Sequence, residues 1–540
     1  MQTLLGFTLA MVITMVLIPL LMRFAVPLGF LDLPEPRKVH ATPVPRVGGI
    51  AMVAGIMTSL LLWGDSSQPM QALWAGIGVL LCFGVWDDRR VLAAGTKFAG
   101  QALAVAVVMS WGGICVATVT GAERMPLPQF LAVPLTFLFL LGGTNAFNLA
   151  DGLDGLAGGM AMLCLCGTSL LAFTVGNGMV GSVAAVMVGA LIGFLRFNTH
   201  PARVFMGDSG SQVLGFTAAA LAILLTQDPL IPLSTALPLL LLGMPIIDTL
   251  MVMTERIVAG QSPFRADRRH IHHRLLALGF AHWEAVSILY LAQGALFIAA
   301  WYLRYASDLD VLAMFLVFAV LVLVPLRLAQ ILGLRIRRGA VAMDTMALRH
   351  GPQALPHTAA GALVGGTLAV FAGWVLLYGA VPSRDLRLLA VVLSSVLLAS
   401  LVLRWQSSDA GWAEKVVLYC SAALAMFLSK QALPNTTHPS MFECVMYPLL
   451  ALAVLVYIRT SKDRPFRITP LDILVLLVVL TVPNLPNSIA SARSLGVTVA
   501  ELVLLFYGLE ALSFAAGQRW RWISAVAAVF LFGLALRAEF

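Results

Sequence analysis

Apolar stretches of about 20 residues, long enough for a helix to cross a bilayer, recur from one end of the chain to the other. Short polar segments separate them. The longest polar interval, from Thr254 to Glu284, is too short to form a soluble domain with its own core. The pattern therefore predicts an all-α fold, a polytopic transmembrane helical bundle.

The apolar stretches predict about 11 helices in a core region and about 7 more in a C-terminal region. The predicted core spans are 4–24, 48–63, 71–86, 98–118, 130–147, 156–174, 179–197, 212–226, 230–252, 285–304 and 310–333. The predicted C-terminal spans are 358–380, 387–403, 416–429, 440–458, 469–482, 496–513 and 522–536. The first span lacks a small-residue cleavage site, so we expect a retained helix. We divide the chain into a membrane core (1–335), a basic linker (336–357) and an additional transmembrane region of unassigned role (358–540).

The composition supports a membrane protein, because 60% of the residues are hydrophobic and only 11% are charged. The net charge of +8 could indicate a nucleic-acid partner. If the N-terminus lies outside, however, 27 of the 34 Lys and Arg residues fall on inner segments, as the positive-inside rule requires. We therefore predict no nucleic-acid binding. The six cysteines lack the spacing of a zinc site and are interpreted as packing residues.

Four aspartate motifs lie at the ends of apolar stretches, where a carboxylate without a partner is costly. They are GVWDDRR with Asp87 and Asp88, NLADGLDG with Asp151 and Asp154, VFMGDSGS with Asp208, and PIIDT with Asp248. Alternation of the spans puts all four on the inner face. The sequence therefore predicts a polar site at one membrane face.

Each motif leaves two interpretations open. The adjacent carboxylates of Asp87 and Asp88 suit a proton acceptor or a metal partner, or they form a helix end neutralised by Arg89 and Arg90. Asp208, beside Gly207 and Ser209, could cap a helix or bind Mg²⁺.

The NAFNLADGLDG segment carries polar side chains at a spacing of three residues. They are Asn145, Asn148, Asp151 and Asp154. In a helix they share one face, which suits a polar ligand such as a nucleotide or sugar. The alternative is that they cap a broken helix.

Two inner loops carry cationic side chains. The loop at 32–47 contains Arg37, Lys38, His40 and Arg46. The loop at 253–284 contains five arginines, Arg265 among them, and the histidines His270, His272 and His273. Three closely spaced histidines could form part of a zinc site, but no cysteine or nearby carboxylate pattern supplies the remaining ligands of a tetrahedral site. Arginine and imidazole beside carboxylate-bound Mg²⁺ suit a pyrophosphate better, so the inner face is predicted to bind a diphosphate.

These motifs carry a resemblance to a known family. The ordered set PRKVH, WDD, NLADGLDG, FN followed by VFMGDSGS, and SPFRADRRHIHHRL resembles the polyprenyl-phosphate N-acetylhexosamine-1-phosphate transferases. The resemblance covers about residues 1–335, and the HIHH loop resembles the branch that uses simple UDP-N-acetylhexosamines.

The resemblance implies an enzyme that transfers N-acetylhexosamine 1-phosphate from a UDP-sugar, UDP-GlcNAc by expectation, to undecaprenyl phosphate, releasing UMP. It implies Mg²⁺, with Mn²⁺ as an alternative, held by Asp208 and Asp151. The implied catalytic residues are Asp87, Asp88, Asp151 and Asp154. The implied substrate-binding residues are Lys38, Asn148, Asn198, Arg265, His270, His272 and His273.

The resemblance also implies a place and a role in the cell. It implies the bacterial cytoplasmic (inner) membrane, with the site on the cytoplasmic face, and the start of envelope polysaccharides such as O-antigen. The alternatives are a phospho-MurNAc-pentapeptide translocase activity and a lipid-linked sugar transporter. A monomer and a homodimer are both open. In the C-terminal region, Asp472, Glu501 and Glu510 are interpreted as groups that pack between helices.

Overall fold

The computed structural model describes residues 2–32, 43–121, 123–261, 269–334, 357–403, 412–431, 441–460 and 520–537, with short helical pieces between 497 and 512. The described residues form two compact units, one built from the helices before residue 335 and one from those after residue 356. Within the described part of the chain, nine helices are long and apolar enough to cross a membrane, and five shorter apolar helices accompany them. The all-α polytopic fold is confirmed.

The first unit contains thirteen described helices and two small hairpins. The helices are α1 (Gln2–Leu28), α2 (Gly48–Trp63), α3 (Gln68–Arg89), α4 (Ala94–Ser110), α5 (Gln129–Ala150), α6 (Leu156–Thr174), α7 (Gly178–Asn198), α8 (Asp208–Thr226), α9 (Pro238–Leu241), α10 (Gly243–Val258), α11 (Ile271–Ala277), α12 (His282–Tyr302) and α13 (Asp308–Ile331). The antiparallel pairs are β1 (Leu31–Asp32) with β2 (Val44–Pro45), and β3 (Thr118–Thr120) with β4 (Arg124–Pro126).

Helix α8 lies at the centre of the first unit. It is buried along nearly its whole length and packs against α2, α3, α5, α6 and α7. Small residues line it on several sides, so neighbouring helices approach closely. Its N-terminus meets the ends of α3 and α5 at one face of the unit, which we call the aspartate face.

The prediction of a single span at 230–252 is wrong, because the chain forms two helices there, α9 and α10. Pro245 lacks an N–H group, and its ring would clash with the carbonyl of Leu241 in a continuous helix. Gln293 of α12 satisfies the backbone groups at the break: its Nε2 donates to Leu241 O (2.9 Å) and its Oε1 accepts from Met244 N (3.0 Å). The fully buried Gln293 thus compensates for the interrupted helix.

The span predicted at 98–118 is also shorter than expected. Helix α4 ends at Ser110, and β3 and β4 follow as a hairpin that the apolar pattern did not reveal. Arg124 fastens this hairpin by donating to the backbone carbonyls of Asp228 (2.6 Å), Thr226 (2.9 Å), Ile231 (2.8 Å) and Leu233 (3.0 Å). One guanidinium therefore holds the connection that follows α8.

The second unit contains α14 (His357–Tyr378), α15 (Arg384–Leu403), α16 (Trp412–Gln431), α17 (Met441–Thr460) and α18 (Trp520–Leu536). Lys430 lies between two buried carboxylates, Glu443 (3.2 Å) and Glu501 (2.8 Å). Glu501 is thus an ion-pair partner between helical segments, in agreement with a packing role. Asp472 and Glu510 lie outside the described residues.

Candidate active site

Asp88, the buried residue near the end of α3, caps the N-terminus of α8. Its carboxylate accepts hydrogen bonds from the backbone N–H groups of Asp208 (2.8 Å) and Ser209 (3.1 Å). These groups have no partner within the helix, so an acceptor stabilises them. Gly84 allows the approach, because a Cβ there would collide with the Ser209 backbone. Gly207 has φ 70°, and a Cβ there would collide with the Asp88 carboxylate. Asp88 therefore fixes the first turn of α8.

The preceding residue, Asp87, faces Lys97 and Asp208. The ammonium group of Lys97 lies 2.5 Å from Asp87 Oδ2 and 3.1 Å from Asp208 Oδ2, so one cation bridges the two carboxylates. The backbone N–H of Leu92 donates to the other Asp87 oxygen (2.7 Å). Two acids separated widely in sequence thus share one positive charge at the aspartate face.

A network of side-chain amides supports Asp208 from behind. Asn148 donates to Asp208 Oδ1 (3.1 Å), and Gln212 donates to Asp208 Oδ2 (3.3 Å). Gln101 and Asn145 continue the network, since Gln101 Nε2 donates to Gln212 (3.2 Å) and Asn145 Nδ2 donates to Gln101 (2.9 Å). Helices α4, α5 and α8 therefore fix the Asp208 carboxylate jointly.

The turn between α5 and α6 carries two carboxylates in different environments. Burial, together with the negative charges of Asp208, Asp154 and Asp88, raises the pKa of Asp151 to about 7. Burial also opposes ionisation of Asp154. Hydrogen bonds from His200 Nδ1 (2.7 Å) and Ala202 N (3.0 Å) outweigh that effect and hold the pKa of Asp154 below its usual value. Asp154 is thus the stable anion of the pair.

Asn198, at the end of α7, joins two loops. Its Oδ1 accepts from Gly155 N (2.9 Å) and its Nδ2 donates to Val204 O (2.9 Å), and the residue is only 2% exposed. Both polar atoms are therefore engaged by backbone groups. In this structure Asn198 fixes the loops that carry Asp154 and Asp208.

The histidine segment, His270 to His273, is anchored by Asp248 of α10. Asp248 accepts from Ile271 N (2.7 Å), and its other oxygen lies 2.9 Å from His270 Nδ1. His272 is buried, and its Nε2 points toward Gly152 in the turn that carries Asp151. Burial and the neighbouring His273 lower the pKa of His272 to about 3, so this imidazole is neutral. The histidine segment thus packs directly on the NLADGLDG turn.

A separate cavity of about 550 Å³ adjoins the histidine segment. Arg269, Arg274 and Arg327 contribute to its lining together with Glu255, which lies 2.5 Å from Arg274. None of the aspartates described above lines this cavity. The cavity is therefore a second polar region of the first unit, distinct from the aspartate face.

The predicted site residues are for the most part brought together. Asp87, Asp88, Asp208 and Asn148 are in direct hydrogen-bonded or ionic contact through Lys97 and the α8 N-terminus. Asp151 interacts electrostatically with Asp208, Asp154 and Asp88. Lys38 and Arg265 lie outside the described residues. The predicted roles of all these residues remain predictions, which we develop below.

Comparison with known proteins adds an independent finding. Residues 70–226, which contain Asp87 through Asp208, match the model of glycosyl transferase family 4. A probable undecaprenyl-phosphate N-acetylglucosaminyl 1-phosphate transferase from Bacillus subtilis is 34% identical over 335 residues, which are 61% of this chain and 92% of that protein. The chain belongs to glycosyl transferase family 4. The resemblance drawn from the motifs is therefore confirmed.

Two further relatives agree in their descriptions. A decaprenyl-phosphate N-acetylglucosaminephosphotransferase from Mycolicibacterium smegmatis is 33% identical over 50% of this chain and 74% of its own length. An undecaprenyl-phosphate alpha-N-acetylglucosaminyl 1-phosphate transferase from Escherichia coli K12 is 30% identical over 54% of this chain and 83% of its own length. The names of all three relatives thus contain a polyprenyl phosphate and an N-acetylglucosamine phosphate group.

Sequence reasoning did not select Lys97, although it is central in this family member's site. A lone lysine at the start of an apolar stretch is ordinarily explained by the positive-inside rule. Its distinguishing signal is position, because Lys97 closes the predicted inner segment 87–97 that begins with the Asp87–Asp88 pair. The supporting amides Gln101 and Gln212 were missed as well, because each lies inside an apolar stretch.

Proposed function

We propose that this protein transfers N-acetylglucosamine 1-phosphate from UDP-N-acetylglucosamine to undecaprenyl phosphate. A phosphate oxygen of the lipid attacks the β-phosphorus of the sugar nucleotide, and the bond to the UMP leaving group breaks. The products are undecaprenyl-diphosphate N-acetylglucosamine and UMP. The observation that carries the proposal is the Asp87–Lys97–Asp208 group in a chain that covers 92% of a relative named for this transfer.

The donor set at the aspartate face fits a divalent cation with oxygen ligands. We assign Asp208 and Asp151 as the residues that would hold Mg²⁺, or Mn²⁺ as the alternative, with Asn148 orienting Asp208. Mg²⁺ favours one or two carboxylates together with substrate phosphates and water. When bound, it would supply positive charge that offsets the repulsion between the two phosphate groups.

We assign Lys97 and Asp87 to the binding of the phosphate groups. An ammonium held between two carboxylates can turn toward a phosphate oxygen, because its four-carbon stem is flexible and it carries three donors. Asp87 would then orient the lipid phosphate or keep it deprotonated. Asp88 would act indirectly, since both of its oxygens accept from the α8 backbone. We therefore assign Asp88 as a positioning residue.

The sugar nucleotide would lie along the NLADGLDG turn. His272 is neutral, so its ring can accept or donate a hydrogen bond without adding charge. His270 and His273 flank it, with ring centroids 5.6 Å and 4.3 Å from that of His272. Lys38 and Arg265 are proposed to contact phosphate groups, and Asn198 to fix the surrounding loops.

The proposed setting is the bacterial cytoplasmic membrane, with the aspartate face toward the cytoplasm. The distribution of Lys and Arg supports this orientation, because 27 of the 34 fall on inner segments in the topology predicted from the sequence. A UDP-sugar made in the cytoplasm would reach the site from there. The product would serve as the lipid-linked start of an envelope polysaccharide such as O-antigen.

The two alternative functions make different demands. A transporter would place its polar groups near the middle of interrupted helices, whereas these groups gather where α3 and α5 end and α8 begins. A pentapeptide translocase would consume UDP-MurNAc-pentapeptide. The relatives cited above are instead named for N-acetylglucosamine.

The test is UMP release by the purified full-length chain, given undecaprenyl phosphate, Mg²⁺ and a panel of UDP-sugars that includes UDP-MurNAc-pentapeptide. We expect lipid-dependent release from UDP-N-acetylglucosamine that stops with EDTA and in Asp208→Asn. Asp65→Asn is the matched control, because Asp65 is exposed and lies in the connection between α2 and α3. Lipid-independent release, or release from the pentapeptide substrate alone, would contradict the proposal.

A further inference from the structure

Three side chains from separate segments meet beside the NLADGLDG turn. Asp154 lies between α5 and α6, His200 lies between α7 and α8, and His282 is the first residue of α12. One ligand atom of each lies within 4.8 Å of the ligand atoms of the others. His200 Nδ1 is 2.7 Å from Asp154 Oδ2, and the rings of His200 and His282 stack with centroids 4.2 Å apart.

The chemistry of this cluster differs from that of the aspartate face. Two imidazoles and one carboxylate form a ligand set that suits zinc and neighbouring transition metals. Mg²⁺ prefers oxygen ligands, which the carboxylates around Lys97 provide. The two groups of residues would therefore select different ions.

The cluster is held by contacts that do not depend on a metal. Ala202 N donates to Asp154 Oδ2 (3.0 Å), which orients the carboxylate toward His200. Asn198 binds Gly155 N and Val204 O, so it fixes the segment after Asp154 relative to the segment after His200. His282 is 8% exposed and is the first residue of α12. Such fixed positions reduce the cost of assembling a ligand set.

We propose that Asp154, His200 and His282 form a transition-metal site, with Zn²⁺ as the preferred ion and a fourth position taken by water. The metal replaces the hydrogen bond between His200 and Asp154 with one bond to each residue. The ligand atoms move closer together to reach bond lengths of about 2.0–2.2 Å. The bound ion ties together the connections α5–α6 and α7–α8 and the start of α12. The inference rests on these residues and not on the transferase activity.

The first measurement counts metal on the purified full-length protein, freed of metal by a chelator and kept in excess Mg²⁺. After addition of Zn²⁺ and dialysis, we expect one zinc per chain in the parent protein. His200→Gln and His282→Gln each remove an imidazole but keep a polar side chain, and we expect both to lose the zinc. His273→Gln is the matched control, since it removes a histidine from the neighbouring segment.

A second measurement distinguishes loss of zinc binding from misfolding of the variants. We expect Zn²⁺ to raise the thermal unfolding midpoint of the parent protein and of His273→Gln, but not of His200→Gln or His282→Gln. Their midpoints without metal show whether the variants fold. Zinc retained by folded His200→Gln and His282→Gln would overturn the proposal, as would zinc lost from His273→Gln alone. Absence of zinc from the folded parent protein would overturn it too.

Discussion

Replacing Lys97 by methionine removes the ammonium group that lies 2.5 Å from Asp87 and 3.1 Å from Asp208. Methionine keeps an unbranched apolar stem, so the packing of α4 changes little. The two carboxylates then face each other with no cation between them. The site also loses a donor for the phosphate groups.

The size of the effect follows from the exposure of Lys97. Removing one preorganised donor from a closed site costs about 10²–10³ in kcat. The Lys97 side chain is 32% exposed, so solvent screens part of its charge, and we expect the lower end, about a 10²-fold loss or ~3 kcal/mol. Lysine and a metal ion compete for the same carboxylates, so the Mg²⁺ concentration at half-maximal rate should fall in the variant.

The assay is the initial rate of UMP release at several Mg²⁺ concentrations for the parent protein, Lys97→Met and Lys97→Arg. Arginine keeps the charge and should retain more activity than methionine. Arg90→Met is the control, because Arg90 is an exposed cation in the connection between α3 and α4. A rate for Lys97→Met within about threefold of the parent, less than ~0.7 kcal/mol, would refute the assigned role.

Further variants test the fold around the site and in the second unit. Asp88→Ala removes the acceptor for two backbone N–H groups and should lower the free energy of unfolding by about 1–3 kcal/mol, measured by denaturation in detergent; an unchanged stability would count against the capping role. Gly207→Ala should destabilise by about 1–2 kcal/mol or more, because a Cβ is strained at φ 70° and meets the Asp88 carboxylate; wild-type stability would argue against that geometry. Lys430→Met removes the cation that pairs with the buried Glu443 and Glu501, and it should lower the free energy of unfolding of the second unit by about 3–5 kcal/mol; unchanged stability would count against this ion-pair role. The buried His272 has a folded pKa of about 3, below its ordinary value of 6.5, so the unfolded chain binds the extra proton and stability falls as the pH drops below 6.5. The contribution of His272 to the pH dependence of the free energy of unfolding should approach ~1.4 kcal/mol per pH unit, and it should be absent in His272→Gln. Equal pH profiles for the two proteins would contradict this contribution.

Periodicity of apolar residues predicted the helices well where a span is uniform. Helices α2 and α6 occupy the predicted residues 48–63 and 156–174. The failure at 230–252 has a local cause, since Pro245 interrupts a stretch whose hydrophobicity continues through it. The apolar pattern did not predict the β3–β4 hairpin, because Arg124 of β4 binds backbone carbonyl groups beyond α8, far from it in the sequence.

The sequence predicted which residues belong to the site better than it predicted their arrangement. Carboxylates at membrane boundaries are rare enough to stand out, which is why Asp87, Asp151 and Asp208 were selected. The different contacts of Asp87 and Asp88 could not be predicted from their adjacent positions in the sequence. It depends on the α8 N-terminus approaching α3 at Gly84, a contact between residues far apart in the chain.

The cap that Asp88 places on α8 has a consequence for biosynthesis. Asp88 and its partner Asp208 are 120 residues apart, which at ribosomal rates of roughly 5–20 residues per second separates their emergence by on the order of ten seconds. Throughout that interval Asp88 lacks the α8 backbone groups that it caps, whereas the partners of Asp87, Leu92 and Lys97, follow it closely in the chain. Four further helices of this unit are made before α8 arrives. The late insertion of α8 therefore completes the assembly of the early helices, because it supplies the backbone N–H groups that Asp88 binds in the finished protein.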